Sequence, residues 1–273
     1  MKLRLCISTD KGNVKEVNQD SAMYKVANTA DFGKVFMGVL CDGMGGLSSG
    51  EVASAMAVQA FENWFIGSLP SVLTRANVTE RLDVEDTFVD VMEDVQRELD
   101  ILTQRINADI ITFGQNNSLT LGTTVVCFLA IGNEYIIINV GDSRVYQINE
   151  DQVVLLTHDQ SVVQSLVDRG VMTWEQAENS PQKSVLLQCL GANGSVNPQI
   201  LRGKLDRDSS FVLCSDGFWR KLSIKELYDA GRPKNCVDEI VMKRNLDGLV
   251  NLDKSRGETD NITAVLMNAT FDD

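Results

Sequence analysis

Five aspartates of this 273-residue chain lie at strand ends or turns, next to small or amide side chains. Two of them precede a glycine at the end of an apolar run, Asp42-Gly43 and Asp216-Gly217, and the others are Asp20, Asp142 and Asp260. A single aspartate at a turn is usually only a turn former. Carboxylates on several rigid strand ends can instead converge, and Mg²⁺ and Mn²⁺ prefer such oxygen ligands. The pattern predicts a carboxylate metal centre, spread too widely along the chain for an EF-hand loop.

The segment Val35–Gly46 indicates how one such ligand is held. An apolar run of strand character ends at Asp42, and glycines follow at positions 43, 45, 46 and 50. Because glycine lacks a side chain, the backbone can bend closely around a cation beside a buried carboxylate. A dinucleotide-binding loop is an alternative, but the spacing is not G-x-G-x-x-G and Asp42 would face the pyrophosphate.

Composition limits the classes of partner. The chain has 25 Lys and Arg against 38 Asp and Glu, a formal net charge of −13. This charge disfavours nucleic acid or an anionic membrane as the main partner. No apolar run reaches the roughly 20 residues that a membrane span needs, and no secretory signal pattern is present. We therefore expect a cytoplasmic protein that acts as a monomer, without nucleic acid or membrane.

Cysteine and histidine content excludes several other sites. The six cysteines show no C-x-x-C spacing and lie mostly in apolar runs, which is typical of buried free thiols. His158 is the only histidine, so a histidine-rich zinc site is excluded. We interpret His158 as an ordinary polar turn residue, and we expect Arg144 to brace its neighbouring loop.

Periodicity predicts a mixture of helices and antiparallel strands. Apolar residues at helical spacing cover 51–65 and about 84–109, with a connector over 67–84. β-Branched or alternating runs predict strands at 3–8, 21–26, 35–42, 211–214 and 262–267. Four further runs across 123–156 predict one antiparallel meander. No repeat or linker divides the chain, so we expect one domain spanning 1–273.

Several motifs, in this order, resemble the metal-dependent protein serine/threonine phosphatases of the 2C type (the PPM family) in their bacterial form. The matching segments are 12–20, 42–46, 50–54, 122–124, 140–146, 157–161, 215–217 and 260–263. They cover nearly the whole chain. The resemblance implies an α+β fold, a four-layer α-β-β-α sandwich of two stacked antiparallel sheets flanked by helices. It also implies a variable flap at about 160–200.

The resemblance implies a role for each acidic residue. Two Mn²⁺ or Mg²⁺ ions would be held by Asp20, Asp42, Asp216, Asp260 and the Gly43 carbonyl. Asp42 would bridge these ions, and Asp142 would share a third, weaker ion with Asp216. A hydroxide bridging the two ions would attack phosphoserine or phosphothreonine in proteins, with Asp42 and Asp216 as catalytic residues. The substrates would be the products of a serine/threonine kinase.

Three positions depart from the family pattern. Lys15 stands where an arginine usually binds the substrate phosphate, so we expect a catalytic contact that keeps the charge but loses the bidentate geometry. Gln19 replaces a common glutamate near the second ion. Met44 stands where some eukaryotic members have a histidine. Lys15 and Gln19 leave open an alternative function, a catalytically weak relative that binds phosphoproteins.

A second alternative rests on Cys214 and Arg220. Their spacing matches the loop of cysteine-dependent phosphatases, in which a thiolate attacks phosphate and an arginine binds it. Asp216 would place a negative charge inside that anion-binding loop. No neighbour would lower the pKa of the thiol. Chelator and thiol alkylation distinguish this mechanism from metal-dependent hydrolysis.

Overall fold

The computed structural model describes residues 1–45, 49–81, 90–192, 194–205 and 207–271. The strands are β1 (Lys2–Asp10), β2 (Asp20–Thr29), β3 (Gly33–Gly45), β4 (Leu121–Thr123), β5 (Val125–Ile131), β6 (Glu134–Val140), β7 (Arg144–Ile148), β8 (Val153–Leu155), β9 (Gln199–Lys204), β10 (Ser209–Cys214) and β11 (Ile262–Thr270). The helices are α1 (Gly50–Gly67), α2 (Leu69–Arg81), α3 (Val91–Asn117), α4 (Val162–Asp168), α5 (Trp174–Glu178), α6 (Asp216–Trp219), α7 (Ile224–Gly231) and α8 (Glu239–Ser255).

The strands form two sheets in which the pairings are antiparallel. Sheet I has the order β1-β11-β10-β7-β8, and sheet II has the order β2-β3-β5-β6-β9, with β4 paired to β3. Strands adjacent in sequence are therefore often adjacent in space. The first strand, β1, lies at the edge of sheet I and pairs along its whole length with the last strand, β11. Sheet I therefore combines strands that are far apart in the sequence.

Aromatic side chains from both sheets fill the space between them. The Phe128 ring lies 4.5 Å from Phe211 of sheet I and 5.0 Å from Tyr135 of sheet II, centroid to centroid. Phe36 stacks on the same ring at 5.8 Å. Offset and edge-on aromatic pairs of this kind add to the hydrophobic free energy of burial. This cluster fixes the distance between the sheets.

Helices cover the outer face of each sheet. Phe61 of α1 and Leu99 of α3 are fully buried in a cluster with the outward residues of sheet II. Leu227 of α7 and Met242 of α8 pack in the same way with residues of sheet I. The predicted α-β-β-α sandwich is confirmed. No helix in the described ranges is long and apolar enough to cross a bilayer.

Two helix predictions need correction. Residues 69–81 form α2, where a connector was expected, and Pro70 in its first turn is a start signal that the prediction missed. The predicted helix over 84–109 is α3, which begins at Val91 and continues to Asn117. Residues 84–89 lie outside the described residues. The predicted buried stripe is present from Met92 to Ile106 and extends to Ile110.

The predicted meander is wrong at its centre. β5 pairs with β6 in sheet II, but β7 pairs with β8 and β10 in sheet I. Gly141, with a φ of 113°, makes this crossing, and a Cβ there would lie 2.6 Å from the Thr124 side chain. The crossing places Asp142 between the two sheets. Strand β9, at the edge of sheet II, was also missed.

We predict that Phe128→Ala lowers the free energy of unfolding by about 3–5 kcal/mol, because the cavity lies where both sheets meet. Urea denaturation followed by circular dichroism measures this change. Val171→Ala is the matched control, since Val171 is 67% exposed and should change stability by less than about 0.5 kcal/mol. Equal losses in the two variants would show that the aromatic cluster is not a central part of the core.

Candidate metal centre

Sheet II presents two of the predicted ligands side by side. Asp20 is the first residue of β2 and pairs in register with Asp42 of β3. Residues directly opposite each other on antiparallel strands project from the same face of the sheet. Asp20 is 8% exposed and Asp42 is partly buried. The first two carboxylates therefore lie next to each other at the end of this strand pair.

Two threonines fix the backbone of Asp42. The Thr124 amide and the Thr123 hydroxyl each donate to the Asp42 carbonyl at 2.9 Å. The Asp42 amide donates to Thr124 Oγ1, also at 2.9 Å. Thr124 Oγ1 is in turn 2.8 Å from Ser143 Oγ, beside Asp142. The Gly122-Thr123-Thr124 motif thus positions Asp42 and connects it to the crossing between the sheets.

Sheet I contributes Asp216 through the end of β10. Asp216 begins α6, and Ser215 before it donates from Oγ to Asp20 Oδ2 at 3.0 Å. The Ser215 amide bonds to the Thr263 carbonyl of β11 at 3.0 Å. Because Ser215 belongs to one sheet and Asp20 to the other, this bond connects the two halves of the centre.

Asn261 places the remaining ligand and the loop that carries Lys15. Its side-chain amide donates to the carbonyls of Lys11 and Val17 at 3.0 and 3.1 Å, and its Oδ1 accepts the Gln19 amide at 2.9 Å. The loop before β2 is therefore held against the start of β11. Lys15 Nζ lies 2.9 Å from Oδ1 of Asp260.

Gly43 lies where no side chain fits. A Cβ on this residue would lie 2.5 Å from the Gln19 carbonyl oxygen and would overlap the backbone of Gly50. The Gly43 amide donates to that same Gln19 carbonyl at 3.2 Å. Gln19 Nε2 donates to Glu51 of α1 at 3.3 Å. Close backbone approach explains the glycines at both ends of this loop, as the sequence predicts.

The carboxylates destabilise one another's charged forms. Burial, followed by the charges of Asp20 and Asp216, raises the pKa of Asp42 well above its usual value. Burial raises the pKa of Asp20 to about 7, against hydrogen bonds from Thr263 and Ser215 that lower it. The pKa of Asp142 rises to about 8, first through burial and then through Asp216. Like charges this strongly perturbed are typical of functional sites.

Among the carboxylates of this centre, two buried oxygens lack a hydrogen-bond partner in the described part of the chain, Oδ1 of Asp20 and Oδ1 of Asp216. The other oxygen of Asp216 is paired with Arg220 at 2.5 Å. A buried acceptor without a donor is costly, and a divalent cation is one group that satisfies it. Among the described residues, no three acidic, histidine or cysteine side chains already stand in metal-holding geometry. Two carboxylates instead form ion pairs with side chains, Asp260 with Lys15 and Asp216 with Arg220.

The structure also places the residues outside the centre. Arg144 pairs with Asp159 at 2.8 Å and lies over the Trp219 ring at 3.3 Å, so it braces the loop after β8, as expected. His158 is exposed and contacts Asp168 at 2.8 Å. All six cysteines are free, and five of them are buried, as predicted, whereas Cys189 is half-buried.

Sequence reasoning missed the roles of Ser215, Asn261 and Arg220. Ser215 and Asn261 stand beside predicted ligands within the recognised motifs, and this adjacency was the available signal. Arg220 was noted only for its spacing from Cys214. The ion pair with Asp216 follows from the i,i+4 separation on one helical turn.

Known proteins of similar sequence and fold indicate one family of enzymes. The family model for protein phosphatase 2C matches residues 10–246. Protein phosphatase PhpP of Streptococcus pneumoniae is 30% identical over 272 residues, 99% of this chain and 99% of its own. The crystal structure of serine/threonine phosphatase Stp1 from Staphylococcus aureus is 27% identical, covers 99% of this chain and 96% of that one, and has a TM-score of 0.78.

A further solved structure is the catalytic domain of the serine/threonine protein phosphatase PstP in complex with 2 manganese ions. It is 26% identical, covers 98% of this chain and 99% of that one, and has a TM-score of 0.73. The chain belongs to the protein phosphatase 2C family. The predicted family is confirmed, and with it the predicted class of enzyme, a protein serine/threonine phosphatase.

We predict that the metal-free protein loses stability as the pH rises from about 4 to about 8. A carboxyl whose pKa is raised on folding contributes stability below its unfolded pKa of about 4 and loses it as the pH passes its folded pKa. For Asp20 and Asp142 those folded values are about 7 and about 8. Urea denaturation in EDTA should show a loss of at least about 1 kcal/mol.

Asp168→Asn is the control for this pH dependence, because Asp168 is exposed and its pKa is lowered by His158 rather than raised. The variant should retain the loss of stability, whereas Asp20→Asn should reduce it. A metal-free protein whose stability rises across this pH range would contradict the proposed mutual repulsion.

Proposed function

We propose that the enzyme hydrolyses phosphoserine and phosphothreonine in proteins with Mn²⁺ or Mg²⁺ bound at the carboxylate centre. The observation that carries this proposal is the pair of buried, unpartnered oxygens on Asp20 and Asp216 among carboxylates that raise one another's pKa. Family membership supports the same chemistry. The manganese complex of the relative PstP supports the choice of ion.

The side chains of Asp20, Asp42, Asp216 and Asp260 are the ligands we assign, with the Gly43 carbonyl. Asp42 takes the central position, because its pKa responds to each of the other carboxylates and its backbone is fixed on both sides. Bound divalent ions would supply an activated water and neutralise the charge that develops on the phosphoryl group. The chain itself holds the carboxylates rigidly, which lowers the cost of reorganisation during the reaction.

Lys15 is the residue we assign to the substrate phosphate. The Lys15 side chain is 41% exposed, and its ammonium group pairs with Asp260. Burial lowers the pKa of Lys15, but the hydrogen bond to Asp260 and the nearby Asp42 and Asp216 outweigh it, so the pKa is raised. Lys15 therefore stays charged when a phosphate enters, and it can turn from Asp260 toward that phosphate.

The cysteine-dependent mechanism has no support in the geometry of residues 214–220. Cys214 is fully buried at the end of β10, and burial raises the pKa of its thiol strongly. Residues 216–219 form the short helix α6, and Arg220 is paired with Asp216. A buried thiol and an arginine already bound to a carboxylate cannot bind and attack phosphate together.

We further propose that residues 1–273 act as one catalytic unit, with 160–200 as the flap beside the centre. The substrates we infer are phosphoproteins made by a serine/threonine kinase, and the state we infer is a monomer. Free thiols at all six cysteines support a cytoplasmic location. The net charge of −13 supports partners other than nucleic acid.

We predict that Asp42→Asn and Asp216→Asn each lower turnover by several orders of magnitude, more than the roughly 10–100-fold typical of a supporting residue. The measurement is hydrolysis of a phosphothreonine peptide across a Mn²⁺ titration, with EDTA as the metal-free arm. Asp168→Asn is the matched control and should keep full activity. Near-normal turnover in Asp42→Asn, or activity that survives EDTA, would refute the metal-dependent mechanism.

We predict that Lys15→Ala lowers kcat/KM by roughly 10- to 100-fold, which corresponds to the loss of one charged hydrogen bond to phosphate. Lys15→Arg should match or exceed the wild type, since a guanidinium can bind phosphate through two parallel hydrogen bonds. Steady-state kinetics on the same peptide, at saturating Mn²⁺, gives both values. If Lys15→Ala changed the affinity for Mn²⁺ but left kcat/KM at saturating metal intact, the role of Lys15 would be limited to its ion pair with Asp260.

A further inference from the structure

Arg220 is a largely buried cation inside the acidic centre. It follows α6 by one residue and pairs from Nη2 with Oδ2 of Asp216 at 2.5 Å. Only 17% of the Arg220 side chain and 10% of the Asp216 side chain are exposed. The other oxygen of Asp216, Oδ1, is buried and has no partner within the described residues. Asp216 therefore has one oxygen bound by a chain cation and the other open.

Asp142 and Arg220 line the same cavity, together with Arg144 and Trp219. Two arginines lower the pKa of Asp142 against burial, Arg220 first and Arg144 second. Arg144 is already bound to Asp159, at 3.0 Å from Nε and 2.8 Å from Nη2. In the other direction, Asp216 and then Asp142 are the charges that favour the cationic form of Arg220 most. Arg220 is thus the positive charge that Asp216 and Asp142 share.

Trp219 holds this arrangement in place. Its indole Nε1 donates to the Asp142 carbonyl at 3.3 Å, which attaches α6 to the crossing between the sheets. The same ring lies 3.3 Å from the Arg144 guanidinium and 5.8 Å from that of Arg220. Arg220 also reaches Ser184 of the flap, with Nη2 donating to Oγ at 3.4 Å. The guanidinium is therefore fixed by the helix, the ring and the ion pair together.

We propose that Arg220 provides the positive charge between Asp216 and Asp142 that a third divalent ion would otherwise supply. The centre then takes up two ions, held by Asp20, Asp42, Asp260 and the unpartnered oxygen of Asp216, and Asp142 is not a metal ligand. This inference rests on the proposed function. It replaces the expectation that Asp142 shares a third ion with Asp216.

A chain cation and a divalent ion differ in two physical respects. A guanidinium stays charged at every accessible pH and is tethered one helical turn from its partner, so chelator or dilution cannot remove it. It carries one charge instead of two, and it donates hydrogen bonds but supplies no activated water. Arg220 therefore neutralises the outer part of the centre permanently, and only the inner part depends on free metal.

The test is the number of Mn²⁺ ions bound per chain, measured by equilibrium dialysis with metal analysis. Wild type should bind two ions. Arg220→Ala should bind one more, with lower affinity, and the double variant Asp142→Asn/Arg220→Ala should lose that added ion. Arg220→Lys keeps the charge and should bind as wild type. Arg256→Ala is the matched control, because Arg256 pairs with Glu226 on the surface and should leave the count unchanged.

Asp142→Asn in the otherwise native chain is the second arm of the test. This substitution is nearly isosteric, so it still tests the inference if Arg220→Ala fails to fold. It should leave both the number of bound ions and their affinity unchanged. A third ion in wild type that Asp142→Asn removes would overturn the inference, as would an Arg220→Ala variant that folds and still binds two ions. Wild type that binds no Mn²⁺ would instead overturn the proposed function, and the inference with it.

Discussion

The structure depends on the cost of burying several carboxylates beside one another. Asp20, Asp142 and Asp216 are each less than a tenth exposed, and each has a raised pKa, first because of burial. Charges taken out of water are costly unless they are paired or protonated. The chain offsets part of this cost with a serine hydroxyl on Asp20 and an arginine on Asp216. A bound divalent cation would offset the remaining cost of burying these charges.

The two sheets bring these carboxylates together, and neither sheet has the whole centre. Sheet II holds Asp20 and Asp42 in register, whereas Asp216 and Asp260 lie at the ends of β10 and β11 in sheet I. Asp142 lies where the chain crosses from one sheet to the other. The aromatic contact of Phe128 with Phe211 joins the two sheets that carry these carboxylates. Packing between the sheets therefore contributes to the geometry of the centre.

Sequence predicted most elements, and it singled out the aspartates that the fold brings together, because both signals are local. Strands appear as β-branched runs, and each predicted ligand lies next to such a run. The error in the meander shows the limit of local signals: β6 and β7 read as neighbours, yet Gly141 sends β7 to the other sheet. Which sheet a strand joins depends on partners distant in sequence, such as β10, so spacing alone could not decide it.

The same limit applies to the supporting residues. Thr124 and Asn261 belong to motifs that the sequence displays, but their bonds to Asp42 and to the loop before β2 exist only once distant segments meet. Arg220 is the clearest case. Its distance from Asp216 along the helix is readable in the sequence, whereas its burial beside Asp142 is a property of the assembled sheets.

Lys15 and Arg220 form similar ion pairs, but their surroundings suit them to different functions. Lys15 lies on a loop and is 41% exposed, so water can replace Asp260 at little cost when the ammonium turns toward another anion. The Arg220 side chain is 17% exposed and is held between Trp219 and Asp216, so leaving its partner would uncover a buried charge on each side. The exposed cation is therefore suited to a transient ligand, and the buried one to a permanent structural charge.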